Sequence, residues 1–335
     1  ADIPNGEPFF TVRHGRAVDC ISPDEAALWL LHAQAYDPSG IRSGLVDDPQ
    51  SQGGRSYPTG PAWCGQTATV WLRGASLEET LMLNLVPADS GHLQGPTLDS
   101  PEAACTWEGS EIETGGDPEP NGIGIPRLLT WHSRRIRLVG DRRGVTGVVL
   151  AQGDKLGPQQ MQRFEPMSLW RYSMPQSKKY RENVYMPAKH EPGRAFWRNL
   201  PAVLPVVEPT EGFDKQKHPK FLQSATLLFH AGLDSSDLDD YPVKFIIEAV
   251  GMTYGSNEAV VADLYHDRLT VAVALLEDRR EDLVYLANAQ IRAIEEVASA
   301  VGYLGANLAR AAGERGDGAG EGARPSRDGR PEWAI

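Results

Sequence analysis

Apolar residues recur along this chain with two periods, and the two alternate in blocks. Ser22-Pro23-Asp24-Glu25 is a helix start: Ser supplies an N-cap oxygen, Pro suits the first helical position, and Glu is placed for a capping box. The helix is predicted to run to Tyr36 and stop at Asp37-Pro38. Leu28, Leu31 and Ala35 share a face with Trp29 and Ala33 beside it, which predicts burial against a core. A second helix is predicted from Ser76 to Leu85, with Glu79 three residues after the Ser cap. The longest is predicted over Glu281–Arg310. There Ala287, Ile294, Val301 and Leu308 repeat every seven residues with Val297 and Leu304 between, so its seam should pack against other helices.

The period of two appears elsewhere. Gln66–Arg73 (QTATVWLR) is rich in β-branched and aromatic residues and predicts a strand. Arg134–Gln152 predicts a hairpin turning at GDRRG, with Ile136 and Leu138 inward and Arg135 and Arg137 on the solvent face. Phe245–Leu276 predicts strand, tip and strand around Gly255-Ser256-Asn257. Helices and antiparallel strands in separate runs give an α+β fold class, with one large mixed α/β globular domain over residues 1–276. Residues 277–312 hold the long helix. Residues 313–335 are Gly/Arg/Asp-rich with almost no apolar residue before Trp333, and are expected to be disordered.

Between these blocks lie two long loops. Gly40–Gly65 contains Gly53-Gly54, which reads either as a plain turn or as backbone free to approach a groove where a side chain would clash. Asp89–Ile125 reads as a surface excursion, with Trp107 as a packing anchor. Lys178-Lys179, after Met174-Pro175, is expected at a hairpin tip or loop. Trp170, Phe196 and Trp197 read as core or interface.

Composition narrows the classes. The 335 residues are 41% hydrophobic and 23% charged, an ordinary globular balance. A net charge of −12 argues against a stand-alone binder of nucleic acid, yet suits one subunit of a ribonucleoprotein. The charge is uneven: Arg127–Arg143 holds six Arg against one Asp, and Arg163–Arg198 holds eight Lys/Arg against three Glu. Cys20, Cys64 and Cys105 are scattered, which disfavours disulfides and structural zinc and suits a cytoplasmic location. No apolar run approaches the ~20 residues that span a bilayer, and the opening ADIPNGEPFF lacks the basic and apolar regions expected of a signal peptide. There is no G-x-S-x-G, H-E-x-x-H or G-x-x-x-x-G-K-[ST] motif and no clustered Cys/His set, so no catalytic residue, metal site or cofactor is predicted.

GRSYPTGPAWCGQ (54–66), WLRGASLEETLMLNL (71–85), TWHSRRIRLV (130–139), PGRAFWRNLPAVL (192–204) and GMTYGSNEAVVADLYHDRL (251–269) together resemble the large subunit (CasA) of the type I-E CRISPR surveillance complex, Cascade. Matched blocks in order over roughly residues 10 to 310 are more specific than any one motif. The resemblance implies a non-enzymatic subunit that recognises the protospacer-adjacent motif (PAM), starts opening the target duplex, and recruits a helicase-nuclease. Its partners would be the other Cascade subunits, the crRNA and double-stranded target DNA.

Residue by residue, the resemblance implies a glycine loop at Gly53-Gly54, a lysine finger at Lys178 or Lys179, and a wedge at Ser256-Asn257-Glu258. Glu258 stands where an amide is common, and its charge would repel phosphate. Arg13 and Arg16 would lie near the 5′ end of the guide. Arg135 and Arg137 read equally as phosphate contacts or as a solvated face. The long helix would be the first of a C-terminal four-helix bundle, the chain being short of the family at both ends. The alternative is an independent nucleic-acid-processing enzyme or RNA-binding protein, which activity of the isolated chain would favour.

Overall fold

The central sheet explains where everything else sits. Strand β4 (Thr69–Arg73) pairs antiparallel with β10 (Lys244–Tyr254), which pairs antiparallel with β11 (Val261–Ala272). Phe245, Ile247 and Ala249 alternate onto one face of β10 and meet Val70 and Leu72 of β4 and Val271 of β11. Phe196, Val203, Leu204 and Leu227 cover that face. In this computed structural model the described residues are 19–44, 51–87, 89–94, 104–108, 123–205, 219–233, 241–277 and 280–311.

The remaining elements attach in order. Helix α1 (Pro23–Tyr36) opens on the predicted cap, with Ser22 Oγ accepting from the Glu25 amide at 3.3 Å. Three two-residue strands follow, β1 (Arg42–Ser43), β2 (Ser51–Gln52) and β3 (Arg55–Ser56), in the order β1-β3-β2. Helix α2 (Leu77–Leu83) is capped by Ser76 Oγ, while the Glu79 carboxylate turns back to accept from the Ala75 amide at 2.6 Å. Asn84 then clamps the edge strand β4: its Nδ2 donates to the Leu72 carbonyl and its Oδ1 accepts from the Leu72 amide. That amide side chain completes backbone bonds that an edge strand would leave open.

A second core gathers Trp63, Leu128, Trp131, Met161, Phe164 and Trp170. Around it lie α3 (Ile125–Leu129), the hairpin β5 (Arg134–Asp141) and β6 (Gly144–Gln152), and the sheet β8-β7-β9. That sheet consists of β7 (Trp170–Tyr172), β8 (Tyr185–Pro187) and β9 (Phe221–Leu222). Short helix α4 (Met174–Tyr180) lies between β7 and β8, α5 (Leu200–Val203) and α6 (Ala225–Ala231) bring Val203 and Leu227 onto the central-sheet core, and α7 (Glu281–Ala311) ends the described chain. The mixed α+β class is as the sequence predicts.

Several expectations are corrected. The face of α1 expected in the core carries Leu28 and Leu31, which are 69% and 62% exposed, and Ala26 is its buried residue. The strand expected from Gln66 begins at Thr69, because Trp63–Gln66 forms a 3-10 turn capped by Thr67, whose side chain donates back to the Cys64 carbonyl. Gly40–Gly65 is not a plain loop, since its described residues hold β1, β2 and β3. Leu138 is exposed rather than inward, because the β5–β6 hairpin projects past the core and exposes Val139, Val148 and Val149 as well. Trp107 is exposed rather than an anchor. On α7, Val284 and Ile291 are buried, seven residues apart, while Ile294, Val297, Val301, Leu304 and Leu308 of the expected seam are exposed. Arg13, Arg16 and the tail 313–335 lie outside the described residues.

Candidate nucleic-acid interface

Gly53-Gly54 is the two-residue tip of the β2–β3 hairpin, in which Ser51 faces Ser56 and Gln52 faces Arg55. Both glycines have positive φ, +60° and +73°. A type I′ turn requires that sign at both central positions, which explains glycine at each. A Cβ added to either would meet nothing within 4 Å, so the tip faces open space. The sequence demands glycine here for backbone shape, and the exposed backbone it leaves is free to approach a partner.

Ser256, Asn257 and Glu258 form a 3-10 turn at the tip between β10 and β11, and all three are exposed. Asn257 (φ 53°) and Glu258 (φ 54°) both sit in the left-handed region. Asn tolerates that region; a Glu held there costs on the order of 1–2 kcal/mol, so its surroundings must fix it. Two bonds do: the Glu258 amide donates to the Gly255 carbonyl at 2.9 Å, and the Glu258 carbonyl accepts from the Ser39 amide at 2.8 Å. The Glu258 carboxylate lies 3.5 Å from Lys189 Nζ, so a cation stands beside the charge expected to repel phosphate.

The bases of the two hairpins meet at residues 36–42. Tyr254, at the end of β10, donates its hydroxyl to the Tyr36 carbonyl at 2.8 Å. Arg42 of β1 donates to Asp37 Oδ2 at 2.6 Å and to the Pro38 carbonyl at 3.0 Å, and its backbone pairs with Ser56 of the glycine hairpin. Arg134, 1% exposed, fans out beneath them. Its Nε donates to Asp37 Oδ2 at 2.5 Å, and its Nη2 donates to the carbonyls of Asp37, Pro38 and Gly60. Burial pulls the guanidinium pKa down, and the Asp37 carboxylate acts in the opposite sense. Sequence reasoning missed Arg134. The signal was present, because the alternation that turns Ile136 inward turns Arg134 inward as well.

Lys178 and Lys179 are not at a hairpin tip. They occupy the last turn of α4, where Ser177 Oγ bonds to the Ser173 carbonyl and accepts from the Val184 amide. The helix ends at Arg181 in the left-handed region, and both lysines are exposed, with Lys179 Nζ 5.1 Å from the Tyr180 ring centre. Cations in a last helical turn complement the helix dipole, which accounts for them locally. Arg135 is paired with Asp154 at 3.2 Å, so of Arg135 and Arg137 only Arg137 is exposed.

Beside the Glu258 tip a cleft of about 730 Å³ is lined in part by Gln66, Arg171, Lys189, Arg194, Arg198 and Glu258. Arg198 is already committed to Glu295 of α7. Among the described residues no group of three or more His, Cys, Asp or Glu could hold a metal ion, and no helix is long and apolar enough to cross a membrane.

The class defined so far is an α+β protein that presents two hairpin tips from one braced base. Residues 1–328 match the family model described as CRISPR-associated protein Cse1, and the chain belongs to that family. Among solved structures it is similar to Thermobifida fusca Cse1, with 37% identity and a TM-score of 0.79 over 98% of this chain and 59% of that one. Cse1 from Acidimicrobium ferrooxidans is 25% identical, with a TM-score of 0.69, over 88% of this chain and 53% of that one. Thermus thermophilus CasA, 21% identical over 90% of this chain and 55% of that one, shares the fold with a TM-score of 0.62. The chain thus spans less than two thirds of these relatives' length. No match was found among curated proteins.

Proposed function

We propose that this chain is the PAM-reading part of the large subunit of a type I-E, Cascade-type RNA-guided surveillance complex. It recognises the flank of the target, starts separating the duplex, takes part in recruiting the helicase-nuclease, and catalyses nothing itself. Its partners in this reading are the other Cascade subunits, the crRNA and double-stranded target DNA, in the cytoplasm.

One observation supports the reading most: Gly53-Gly54 and Ser256-Asn257-Glu258 are exposed tips whose bases share the residues 36–42. A side-chain-free tip suits close approach to a groove, and an Asn tip can donate and accept at base edges. The minor groove carries a degenerate code, so several PAM variants would be tolerated. Modest affinity from an acidic chain is acceptable where guide pairing supplies most of the specificity. Residues 1–276 then form the DNA-reading body, and the exposed seam of α7 opens a C-terminal helical bundle.

The test is target binding by a guide-loaded complex lacking its large subunit, with and without this chain, on duplexes differing only in the flanking motif. A gain confined to one flank is expected. Equal gain on every flank, or cleavage of nucleic acid by the isolated chain, would overturn the reading.

A further inference from the structure

We infer that Tyr36–Arg42 is a strap that makes the two hairpin tips act on a duplex as one unit, with Tyr254 and Arg134 as its positioning residues. This rests on the DNA-reading function proposed above and deepens it.

Four connections carry the inference. The Ser39 amide holds the Glu258 carbonyl, which fixes the strained tip itself rather than a remote part of the strand. The Tyr254 hydroxyl holds the Tyr36 carbonyl. A Cβ on Gly65 would lie 2.1 Å from the Tyr254 oxygen, so glycine at 65 leaves room for that hydroxyl. On the other side, Arg42 bonds within the strap and pairs through its backbone with Ser56, two residues from Gly54. Arg134 then ties the strap to the Gly60 carbonyl, where the glycine segment returns to the body.

The strap is itself firm: Ser39 is 7% exposed, and the Asp37 side chain accepts from two guanidinium groups. Each connection is a directional hydrogen bond that includes a backbone group or a charged side chain. A tip held at two such points cannot shift without moving the other, so duplex contacts at the two tips form together or not at all. Coupling of this kind is measurable as non-additivity between distant substitutions, which is otherwise small.

The experiment is a double-mutant cycle on flank-dependent binding in the guide-loaded complex. Gly54→Asp and Asn257→Ala are made singly and together, in the parent and in a Tyr254→Phe background, with Arg134→Lys as a second background. In the parent each single change is expected to weaken binding about tenfold, and the pair about ten- to thirtyfold rather than the hundredfold product. With Tyr254→Phe the pair should approach the product. Tyr254→Phe removes one oxygen and keeps the ring, so it carries the test should Arg134→Lys fail to assemble. A merely stabilising bond would lower the unfolding midpoint and leave the cycle unchanged. That result, or full additivity in the parent, would overturn the inference. If neither single change affects binding, the DNA-reading function falls, and the coupling falls with it.

Discussion

Arg134 Nε lies 2.5 Å from Asp37 Oδ2, joining the first residue of β5 to the residue that ends α1, 97 positions earlier. The Arg134 side chain is 1% exposed and the Asp37 side chain 15%. Removing one partner of a buried ion pair leaves the other charge uncompensated, which costs about 3–5 kcal/mol. Asp37→Asn should therefore destabilise by about that much, because it leaves the buried Arg134 guanidinium without a counter-charge, while Arg134→Met, which leaves Asp37 paired with Arg42 at 2.6 Å, should cost less. Urea unfolding of the three proteins checks the order; equal midpoints would show that the pair contributes nothing.

The glycine tip separates conformation from contact. Both positions need positive φ, which costs most L-residues roughly 1–2 kcal/mol and Asn less. No neighbour obstructs a side chain at either. Gly53→Asn should accordingly leave stability within about 0.5 kcal/mol, whereas Gly53→Val should lower it by about 1–2 kcal/mol. If Asn at this position weakens flank-dependent binding without touching stability, the tip meets the duplex directly and the added side chain holds it away. Unchanged binding by both Gly53→Asp and Gly54→Asp would remove this hairpin from the interface.

Lys178 and Lys179 face solvent from a helix end, so their removal should leave folding intact. If they meet phosphates, Lys178→Ala with Lys179→Ala should lower affinity and reduce the log–log salt slope by about 0.9 for each phosphate no longer neutralised. An unaltered slope would assign them to the helix dipole alone.

The elements most readable in the sequence were those with local causes. The Ser22 and Ser76 caps, the β10–β11 pair and the glycine turn each follow from a few adjacent residues, and each is present. Burial was harder to read, because it depends on what lies opposite. Leu28 and Leu31 repeat at helical spacing yet face outward, since α1 meets the body through Ala26 and through Gln34, which bonds to the Arg134 backbone. Lys178-Lys179, expected at a hairpin tip or loop, lies instead on a short helix, because Pro175 is acceptable in a first helical turn. The link between the two tips was invisible for a different reason. The side chains of Tyr254, Arg42 and Arg134 find their partners largely in backbone groups, among them the carbonyls of Tyr36, Pro38 and Gly60, and Ser39 meets Glu258 through backbone alone; a carbonyl or amide leaves no mark on residue identity.

Glu258 is a carboxylate at a place suited to an amide. Its partner Lys189 is 3.5 Å away, and both side chains are nearly half exposed, so their attraction stabilises the fold by no more than about 1 kcal/mol. Glu258→Gln keeps the shape, the backbone bond to Ser39 and the left-handed strain. It removes a negative charge and releases Lys189 toward a phosphate. Duplex opening, followed with a base-analogue fluorophore beside the flank, should be unchanged or faster. A clear loss would give the carboxylate a positive role.

Two buried histidines set an acid limit on stability. His190 stacks on Tyr265 at 4.8 Å, and its Nε2 donates to the Thr69 carbonyl at 3.1 Å, while its buried Nδ1 has no partner among the described residues. His230 donates from Nε2 to the Leu83 carbonyl and accepts at Nδ1 from the Tyr241 hydroxyl. Burial lowers both pKa values from the ordinary 6.5. The unfolded chain takes up these protons near pH 6.5 and the folded chain does not, so acidification favours unfolding. The stability is fully present above pH 6.5 and is lost as pH falls through the folded values, by at most about 1.4 kcal/mol per pH unit for each ring. Unfolding midpoints taken from pH 7.5 down to about 5.5, above the range where most carboxylates titrate, should fall in the parent and fall less steeply in His230→Gln. Gln can still donate to Leu83 and accept from Tyr241 but cannot charge, so a parallel slope in that variant would move the acid sensitivity elsewhere in the chain.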